Sequence, residues 1–586
     1  MTEAQPTLRR LARQVRARLR ERPVESAVQS ALLLVLGVQA VLRFADCSRR
    51  GIHWDEFNFL RIVHAAYRGE PVAHFQTFHA RLFFWLPRLG GNEVDQIIRA
   101  REVIWLGNLL ALGALALVGR RLLGWTASLW ALCLVGSASY VIQHGCSFRY
   151  DGLILPLYAG SLWLLLRGSR AAASLAGAML GLALLLSLKA ALFALPVAVF
   201  AVLGRGGNLG PKTLRYVLHY AFAAAASFGV LALLHWVVLV GHGHGASRAL
   251  GDYAQGMFAL DVPRRGVILK SVRSESGVWF FLLAGGALLL GGCSRLEGSA
   301  RHRALLAFFA GSPLLCLAVY RNAWPYFISG VLIMAAPWIA SVPALLLRTG
   351  HIFPLPLVFL GMLGSGIYAG MVTYSWYLGN DDSTLRQQRQ VIAITKSIFP
   401  KPVPYIDRCG MLASYPKVGP FITSLTSQRY QEEGQPLFDT ILRQSQPPLL
   451  LANVGGLELE RAWRRGSHSL LKADFQTLKA NFVPFWGPVW VAGKELQLEA
   501  GREQDVEMLI SGKYTLEADQ PLTVDEHLVE PGHAVALAQG IHTFRADQSG
   551  GARLRFGEGL VRPTHDPPSQ WLFEGAPGPV PLFSWL

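Results

Sequence analysis

The chain has 586 residues, of which 52% are hydrophobic and only 16% are charged. In soluble domains roughly a quarter of all residues are charged, so this composition excludes a wholly soluble protein. The net charge of +17 does not indicate a nucleic-acid partner, because much of the excess is arginine beside apolar segments. The positive-inside rule and anionic lipid headgroups account for arginine at such places. Membrane lipids are therefore the predicted surroundings.

The N-terminal segment, residues 1–26, is rich in arginine and precedes the apolar run "ALLLVLGVQAVLRFA". No A-x-A-like cleavage site follows this run, so it does not match a signal peptide. We predict a retained first membrane helix that follows a cytoplasmic N-terminus.

Residues 27–378 contain repeated apolar runs long enough to cross a hydrocarbon core of roughly 30 Å. The predicted spans are 27–45, 103–118, 125–142, 153–166, 171–187, 190–203, 216–240, 277–292, 304–320, 325–347 and 352–378. Arginine and lysine fall in alternate loops, which indicates that those loops are cytoplasmic. About eleven spans then place the C-terminal part outside. We expect a multi-pass protein of the bacterial inner (cytoplasmic) membrane with a periplasmic or otherwise external C-terminal domain.

The first long loop, residues 46–102 and hereafter the first loop, contains the stretch "GIHWDEFNFL" with Asp55 and Glu56 side by side. A carboxylate at this position could deprotonate an acceptor or hold a cation, and two adjacent carboxylates raise each other's pKa. The alternative is that both acids stabilise the N-terminus of a helix. His53 and Trp54 are candidate substrate contacts. The loop also contains eight arginines: Arg49, Arg50, Arg61, Arg68, Arg81, Arg88, Arg99 and Arg101. By the positive-inside rule an external loop should contain few positive charges, so these arginines suggest an anionic ligand or lipid headgroup.

Further polar residues interrupt apolar sequence at the predicted outer edge of the membrane. They are His144, Arg149 and Asp151 in "VIQHGCSFRYDG", Lys189 in "LLLSLKAALFALP", and Arg321, Asn322 and Tyr326 in "RNAWPY". An ionisable residue within an apolar segment is a candidate site residue, and arginine suits phosphate through its fork of donors. The alternatives are a loop-stabilising pair of Arg149 with Asp151 and interfacial anchoring of Lys189 or Arg321.

The C-terminal part divides into two patterns. Residues 379–484 alternate helical stretches with short apolar strands, which predicts a small α/β module. Residues 485–586 contain short alternating runs separated by turn residues, which predicts a β-sandwich. In pattern it resembles carbohydrate-binding modules; a spacer without a binding role is the alternative.

The six cysteines include no CxxC motif and no Cys/His spacing typical of zinc. Cys47, Cys146 and Cys409 fall on the predicted external side, where the sequence allows one disulfide. The alternative is that they are unpaired, small apolar side chains.

Taken together, the sequence resembles the GT-C superfamily of polytopic glycosyltransferases, and within it the protein O-mannosyltransferases and the lipid A aminoarabinose transferases. The resemblance depends on "HWDEFNFLRIVHAAYRGE" after the first span, the arginine-rich first loop, "RYDG", Lys189, "RNAWPY" and an external C-terminal domain. It covers the membrane part. The implied fold is an α-helical polytopic membrane protein with a C-terminal external α/β plus β-sandwich region.

The resemblance also implies chemistry. Asp55 would be the general base that deprotonates a hydroxyl acceptor on a glycan, glycolipid or protein, and Glu56 would orient the acceptor or Asp55. The donor would be a sugar on a polyprenyl phosphate, with inversion at the anomeric carbon. Lys189, Arg149 and Arg321, with Tyr326, would bind the phosphate. No cofactor is predicted, although a divalent cation stays open because some members use one.

The chain departs from this family in two respects. About eleven spans is fewer than the aminoarabinose transferases have, and the likeness does not extend through 485–565. Two other functions in cell-envelope assembly therefore stay open for the chain. It could be a transporter or flippase for lipid-linked sugars, or a non-catalytic partner subunit. A transporter would be expected to show internal repeats and helices broken at the midplane, and neither is evident.

Overall fold

The computed structural model of the chain describes residues 23–70, 78–205, 210–239, 265–320, 323–348, 354–420, 430–454, 457–460, 463, 470–568 and 572–573. Within these ranges the N-terminal two thirds are helical and the C-terminal part is rich in β-structure. The predicted fold class is confirmed at this level.

The helices follow the apolar runs of the sequence. In chain order they are α1 Pro23–Asp46, α2 Trp54–Tyr67, α3 Phe78–Leu82, α4 Trp85–Leu89, α5 Glu93–Leu122, α6 Trp125–Gly136, α7 Ser139–His144, α8 Asp151–Leu165, α9 Arg170–Leu186, α10 Ala191–Leu203, α11 Pro211–Leu239, α12 Arg265–Ser274, α13 Ser276–Arg295, α14 Gly298–Gly311, α15 Pro325–Met334, α16 Ala336–Arg348, α17 Leu355–Gly379, α18 Ser383–Ile398, α19 Phe438–Ser445 and α20 Lys472–Asn481. Short 3₁₀ helices at Leu188–Ala190 and Ser312–Ala318 precede α10 and follow α14.

Six helical segments in the described ranges are long and apolar enough to cross a membrane. They are Pro23–Asp46, Glu93–Leu122, Pro211–His235, Ser276–Cys293, Pro325–Arg348 and Leu355–Gly379. Shorter apolar helices account for four further predicted spans: α6, α8, α9 and the stretch Leu188–Leu203, in which the first 3₁₀ helix leads into α10. The protein is thus a multi-pass membrane protein by length and composition. The number of crossings and the side on which each end lies stay predictions.

Helix α5 differs from its predicted span because it begins at Glu93, ten residues before the apolar run. Asn92 caps it, since the Asn92 side chain accepts a hydrogen bond from the Val94 N–H. Glu93 and Asp95 in the first turn match the positive end of the helix dipole. This polar extension projects into the first loop and brings Arg101 beside α2.

The C-terminal strands form two sheets. They are β1 Tyr405–Ile406, β2 Leu449–Leu451, β3 Phe482–Trp486, β4 Val489–Leu498, β5 Glu503–Met508, β6 Gly512–Ala518, β7 Leu522–Val524, β8 His527–Val529, β9 Ala534–Leu537, β10 Gly540–Ala546 and β11 Gly550–Phe556. One sheet has the order β1-β2-β4-β11-β6-β9, with β3 also paired to β4, and the other has the order β5-β10-β7-β8. Strand β4 pairs with β2 and β3 along its first half and with β11 along its second half. The first sheet therefore runs across the predicted module boundary at residue 484.

The first loop and the C-terminal part share one apolar core. Phe57, Leu60 and Val63 of α2 are fully buried in the same cluster as Tyr405 of β1 and Val491 of β4. Burial of apolar area contributes roughly 25 cal/mol per Å². This core fixes α2, and with it Asp55, against the C-terminal part.

Candidate active site

The site begins at the N-terminus of α2. His53 is the N-cap residue: its Nδ1 accepts a hydrogen bond from the Asp55 N–H at 3.3 Å, and its own N–H donates to Glu56 Oε1 at 3.1 Å. This reciprocal arrangement is a capping box, with an imidazole in the place that serine or threonine usually takes. An Nδ1 that accepts a hydrogen bond requires the neutral ring. The cap sets the direction in which Asp55 leaves the helix.

Glu56 is buried beneath this turn and is paired with Arg101. Arg101 donates to both Glu56 oxygens, at 2.7 and 2.8 Å, and the Phe148 N–H donates to Oε2 at 2.7 Å. Burial opposes ionisation of Glu56, but the Arg101 guanidinium overcomes it and lowers the pKa of Glu56 to about 2. Glu56 is thus an ionised anchor that joins α2, α5 and the loop before α8.

Asp55 points the other way and pairs with Arg149. The Asp55 carboxylate accepts a hydrogen bond from the Arg149 guanidinium and lies 3.8 Å from His53 Nδ1. Its side chain is 14% exposed. Burial alone would lower the pKa of Arg149, but Asp55, Tyr326 and Asp151 raise it above the ordinary value. The two adjacent acids therefore have different partners, since Glu56 pairs with Arg101 and Asp55 pairs with Arg149.

Arg149 also joins Asp55 to a second pair, Asp151 and Lys189. Lys189 Nζ donates to Asp151 Oδ1 at 2.9 Å, and Arg149 Nε lies 3.9 Å from Asp151 Oδ2. The result is a row of alternating charge, Asp55–Arg149–Asp151–Lys189, which we call the charge row. Its net charge is zero. Among the described residues, Arg149 Nε and Asp151 Oδ2 are buried without a hydrogen-bond partner, so the row keeps unused donor and acceptor capacity.

Aromatic rings cover the two cations. The Arg149 guanidinium lies 3.4 Å from the centre of the Tyr326 ring, and Lys189 Nζ lies 5.0 Å from the same ring. Tyr150 lies 5.6 Å from Lys189 Nζ, and Phe59 lies 5.5 Å from the Arg149 guanidinium. A cation above a ring face is stabilised by roughly 0.5–2 kcal/mol.

A narrow cavity of about 40 Å³ opens from the charge row into the helices. Its lining combines polar side chains with apolar ones. The polar ones are Asn108, His144, Ser147, Arg149, Asp151, Tyr326 and Ser329, and the apolar ones are Ile154, Leu155, Phe193, Phe327, Val331, Ile333 and Met334. A volume of about 40 Å³ is little more than that of one water molecule, so the cavity shows that the charge row adjoins apolar helix side chains.

The other predicted substrate contacts surround the same point. His144 lines this cavity and also a second one of about 210 Å³, which His53, Glu56 and Thr384 help to line. Burial and the neighbouring Arg50 hold the pKa of His144 well below its usual range. Trp54 lies beside His53, with the ring centres 4.8 Å apart.

Sequence reasoning missed two residues of this site. Arg101 was counted among the loop arginines but not recognised as the partner of Glu56. Arg408, from the C-terminal part, has its guanidinium 4.7 Å from the centre of the Trp54 ring. Nothing local to either residue signals these contacts, because the partners are distant in sequence.

Two predicted residues, Arg321 and Asn322, lie outside the described residues. Within the described ranges, no group of three or more His, Cys, Asp or Glu side chains could hold a metal ion. The prediction that no cofactor is required stays a prediction.

No family model matches the chain, and a search of curated proteins found no significant match. Several solved structures are similar to it. ArnT from Cupriavidus metallidurans bound to undecaprenyl phosphate aligns with 71% of this chain and 92% of its own, at 14% identity and a TM-score of 0.46. The apo oligosaccharyltransferase from Archaeoglobus fulgidus aligns with 88% of this chain and 76% of its own, at 11% identity and a TM-score of 0.46.

The archaeal oligosaccharyltransferase AglB from Archaeoglobus fulgidus, in complex with an inhibitory peptide and a dolichol-phosphate, is a further similar structure. It aligns with 72% of this chain and 69% of its own, at 12% identity and a TM-score of 0.44.

Proposed function

We propose that the chain is an inverting glycosyltransferase that moves a sugar from a polyprenyl-phosphate donor to a hydroxyl acceptor on the external face of the membrane. The observation that carries the proposal is the charge row, which adjoins apolar side chains of the membrane helices. A lipid-linked sugar phosphate likewise combines an anionic head with a hydrocarbon tail. The resemblance of the first loop to the acidic motif of GT-C enzymes supports the same assignment.

In this proposal Asp55 is the general base. Its helix is anchored by Glu56 and Arg101, so its position does not depend on a flexible loop. The acceptor O–H bond breaks as the proton passes to Asp55, and the acceptor oxygen forms a new bond to the anomeric carbon. The bond from that carbon to the phosphate oxygen breaks, and its electron pair leaves with the phosphate.

Arg149 and Lys189 are proposed to bind that phosphate. The donor is a phosphodiester and the product a phosphomonoester, so negative charge grows on the leaving group during the reaction. Preorganised cations that face such growing charge lower the barrier, and removal of one hydrogen-bond donor typically costs about 10²–10³-fold in rate. A phosphate that takes over Arg149 would also release Asp55 from its ion pair and leave the carboxylate available as a base.

The acceptor is proposed to approach from the side of His53 and Trp54. His53 lines the larger cavity of about 210 Å³, and Trp54 lies beside His53. Attack on the face of the anomeric carbon opposite the phosphate would give inversion. The C-terminal part borders this side through Arg408 and Thr384, in keeping with a hydroxyl-bearing glycan, glycolipid or protein as acceptor.

The test is donor turnover by the purified protein in proteoliposomes, with a panel of polyprenyl-phosphate sugars and an envelope extract as acceptor. Wild type should release polyprenyl phosphate, and Asp55→Asn should not, although it still binds donor. Asp95→Asn is the matched control, because Asp95 on α5 is an exposed carboxylate that pairs with Arg389 of α18.

Equal release by wild type and Asp55→Asn would remove Asp55 from the mechanism. Donor that crosses the membrane unchanged would instead identify a transporter or flippase. Absence of both release and transport with every donor would favour a non-catalytic partner subunit.

A further inference from the structure

Three arginines gather at the ends of α5 and α8 that lie away from the candidate active site. Arg120 and Arg121 are in the last turn of α5, and Arg167 follows the C-terminus of α8. Asp151 of the charge row is the first residue of α8, which has 15 residues and is therefore about 22 Å long. The three arginines thus lie about one helix length from the charge row, on the side that is predicted to be cytoplasmic.

All three side chains line one open cleft of about 420 Å³ between α5 and α8, which pack along each other. The rest of the lining is Leu117, Trp163 and Leu166. No acidic side chain is among these described lining residues, so the cleft carries three formal positive charges. Its volume has room for a group much larger than one water molecule. The cleft therefore matches an anion of the size of a lipid headgroup.

Two of these arginines stack on indole rings. The Arg167 guanidinium lies 4.0 Å from the centre of the Trp163 ring, and the Arg120 guanidinium lies 5.7 Å from the centre of the Trp125 ring. In the described part of the chain none of the three arginines forms an ion pair with a carboxylate. A guanidinium has five N–H donors in a fork that fits phosphate oxygens in pairs. These donors are thus oriented by the rings and available to a phosphate.

An exposed apolar stripe on α5 leads along the membrane helix to this cleft. Val103, Leu106, Leu110 and Leu117 are each at least 40% exposed. Their spacing places them on one face of the helix, and Arg121 continues that face. A soluble anion would make no contact with such a stripe. The acyl chains of a lipid would contact it while the phosphate of the same lipid occupies the cleft.

We infer that the cleft binds the phosphate of an anionic phospholipid whose acyl chains lie along the stripe on α5. Anionic lipids are a normal component of the cytoplasmic leaflet, and basic pockets between membrane helices bind their headgroups. Arginines that only orient a chain in the membrane need no cleft. A zwitterionic head would bring its ammonium group close to three guanidinium groups. The bound lipid would bridge α5 and α8, which carry Arg101 and Asp151 towards their other ends.

The test is lipid binding to the purified full-length protein in detergent, measured by native mass spectrometry during titration with phosphatidylglycerol. We expect phosphatidylglycerol to bind at least about tenfold more tightly than phosphatidylcholine with the same acyl chains. Inorganic phosphate at the same concentration should not displace the bound lipid, because it lacks acyl chains. Donor turnover is not part of this measurement, so its result is independent of the proposed activity.

A triple variant locates the site. Replacement of Arg120, Arg121 and Arg167 by Gln should weaken phosphatidylglycerol binding about 10–100-fold, to the level of phosphatidylcholine. The matched control replaces Arg301, Arg303 and Arg348 by Gln, because these arginines are also exposed and predicted to be cytoplasmic but do not line the cleft. The control should bind phosphatidylglycerol like wild type.

Three results would overturn the inference. They are equal binding of the two lipids by wild type, equal loss in the two triple variants, and displacement of the lipid by inorganic phosphate at the same concentration. If the cleft variant fails to fold, Arg167→Lys replaces it. This change keeps the charge but loses the fork and the flat contact with Trp163, so it should weaken phosphatidylglycerol binding selectively. The lipid preference of wild type needs no variant.

Discussion

Arg101 holds both carboxylate oxygens of Glu56 while its remaining N–H groups donate to the carbonyls of Cys47, Arg50 and Gly51, at 2.8–3.0 Å. Every donor of this buried guanidinium is used. The pair therefore fixes the chain on both sides of His53, and with it the helical turn that carries Asp55.

The first prediction concerns this pair. Glu56→Gln should destabilise the protein by about 3–5 kcal/mol, because loss of one partner leaves a buried, uncompensated charge on Arg101. Thermal unfolding in detergent measures the effect. Asp95→Asn, which changes an exposed carboxylate on the same loop, should shift the midpoint little. Equal midpoints for Glu56→Gln and wild type would show that the pair does not hold the loop.

The same pair predicts a dependence of stability on pH. The pKa of Glu56 is lowered to about 2 in the folded protein from an ordinary value of 4.5. Since the folded form releases this proton more readily, the stabilisation is complete above about 4.5 and is lost as the pH falls towards 2. Unfolding midpoints of wild type and Glu56→Gln should therefore converge across that interval. Parallel curves would contradict the assignment of this ionisation to Glu56.

Arg149 should be sensitive to a change that preserves its charge. Arg149→Lys keeps a cation but loses the fork that reaches Asp55 and the flat contact with Tyr326. We expect kcat to fall about 10²–10³-fold if this group stabilises the leaving phosphate. Arg99→Lys, a change of an exposed arginine that pairs with Glu102, is the matched control and should retain most activity. A change confined to KM would indicate ground-state binding only.

Asp151 and Lys189 can be separated from catalysis by a double-mutant cycle. Asp151→Asn and Lys189→Met should each destabilise the protein, because each leaves one charge in a mostly buried position. The double variant should recover part of that loss, with a coupling of about 1–3 kcal/mol. If Lys189 binds the donor phosphate, turnover should stay low in the double variant although stability returns. Recovery of both would assign the pair a purely structural role.

Gly51 tests the contact between the first loop and α18. A Cβ at this position would lie 2.7 Å from Thr384 Cγ2 and 3.1 Å from Thr384 Cβ. Gly51→Ala should therefore cost about 1–3 kcal/mol through overpacking, and Thr384→Ala should relieve part of the cost. Gly113→Ala on α5 is the control, because no atom lies within 4 Å of its added Cβ. Unfolding midpoints of the three variants and the double variant measure the difference.

The sequence was most informative where a property is local. Apolar length locates the membrane helices, since each helix satisfies its own backbone. The acidic start of α2 was visible because the cap and the acids are neighbours in the chain. The break at Ala335 between α15 and α16 was not predicted, since its residues are as apolar as those around it.

Ion pairs between residues that are distant in the sequence could not be predicted from local sequence patterns. Arg101 is 45 residues from Glu56, and Lys189 is 38 residues from Asp151. The predicted Arg149–Asp151 pair is present, but at 3.9 Å it is looser than the pairs that each residue makes elsewhere. Sequence alone identified the charged residues of the site but not which acidic residue pairs with each arginine or lysine.

The continuity of β4 between two parts of one sheet has a consequence for protein engineering. Because α2 shares its apolar core with β1 and β4, the C-terminal part is not a detachable appendage. A truncation after residue 379 would expose that core to water along with the support for Asp55. In a chimera with a foreign C-terminal domain, the first loop would no longer pack against its own core residues. Under the proposed function, single changes around Trp54 and Arg408 are a better way to alter the acceptor than exchange of whole domains.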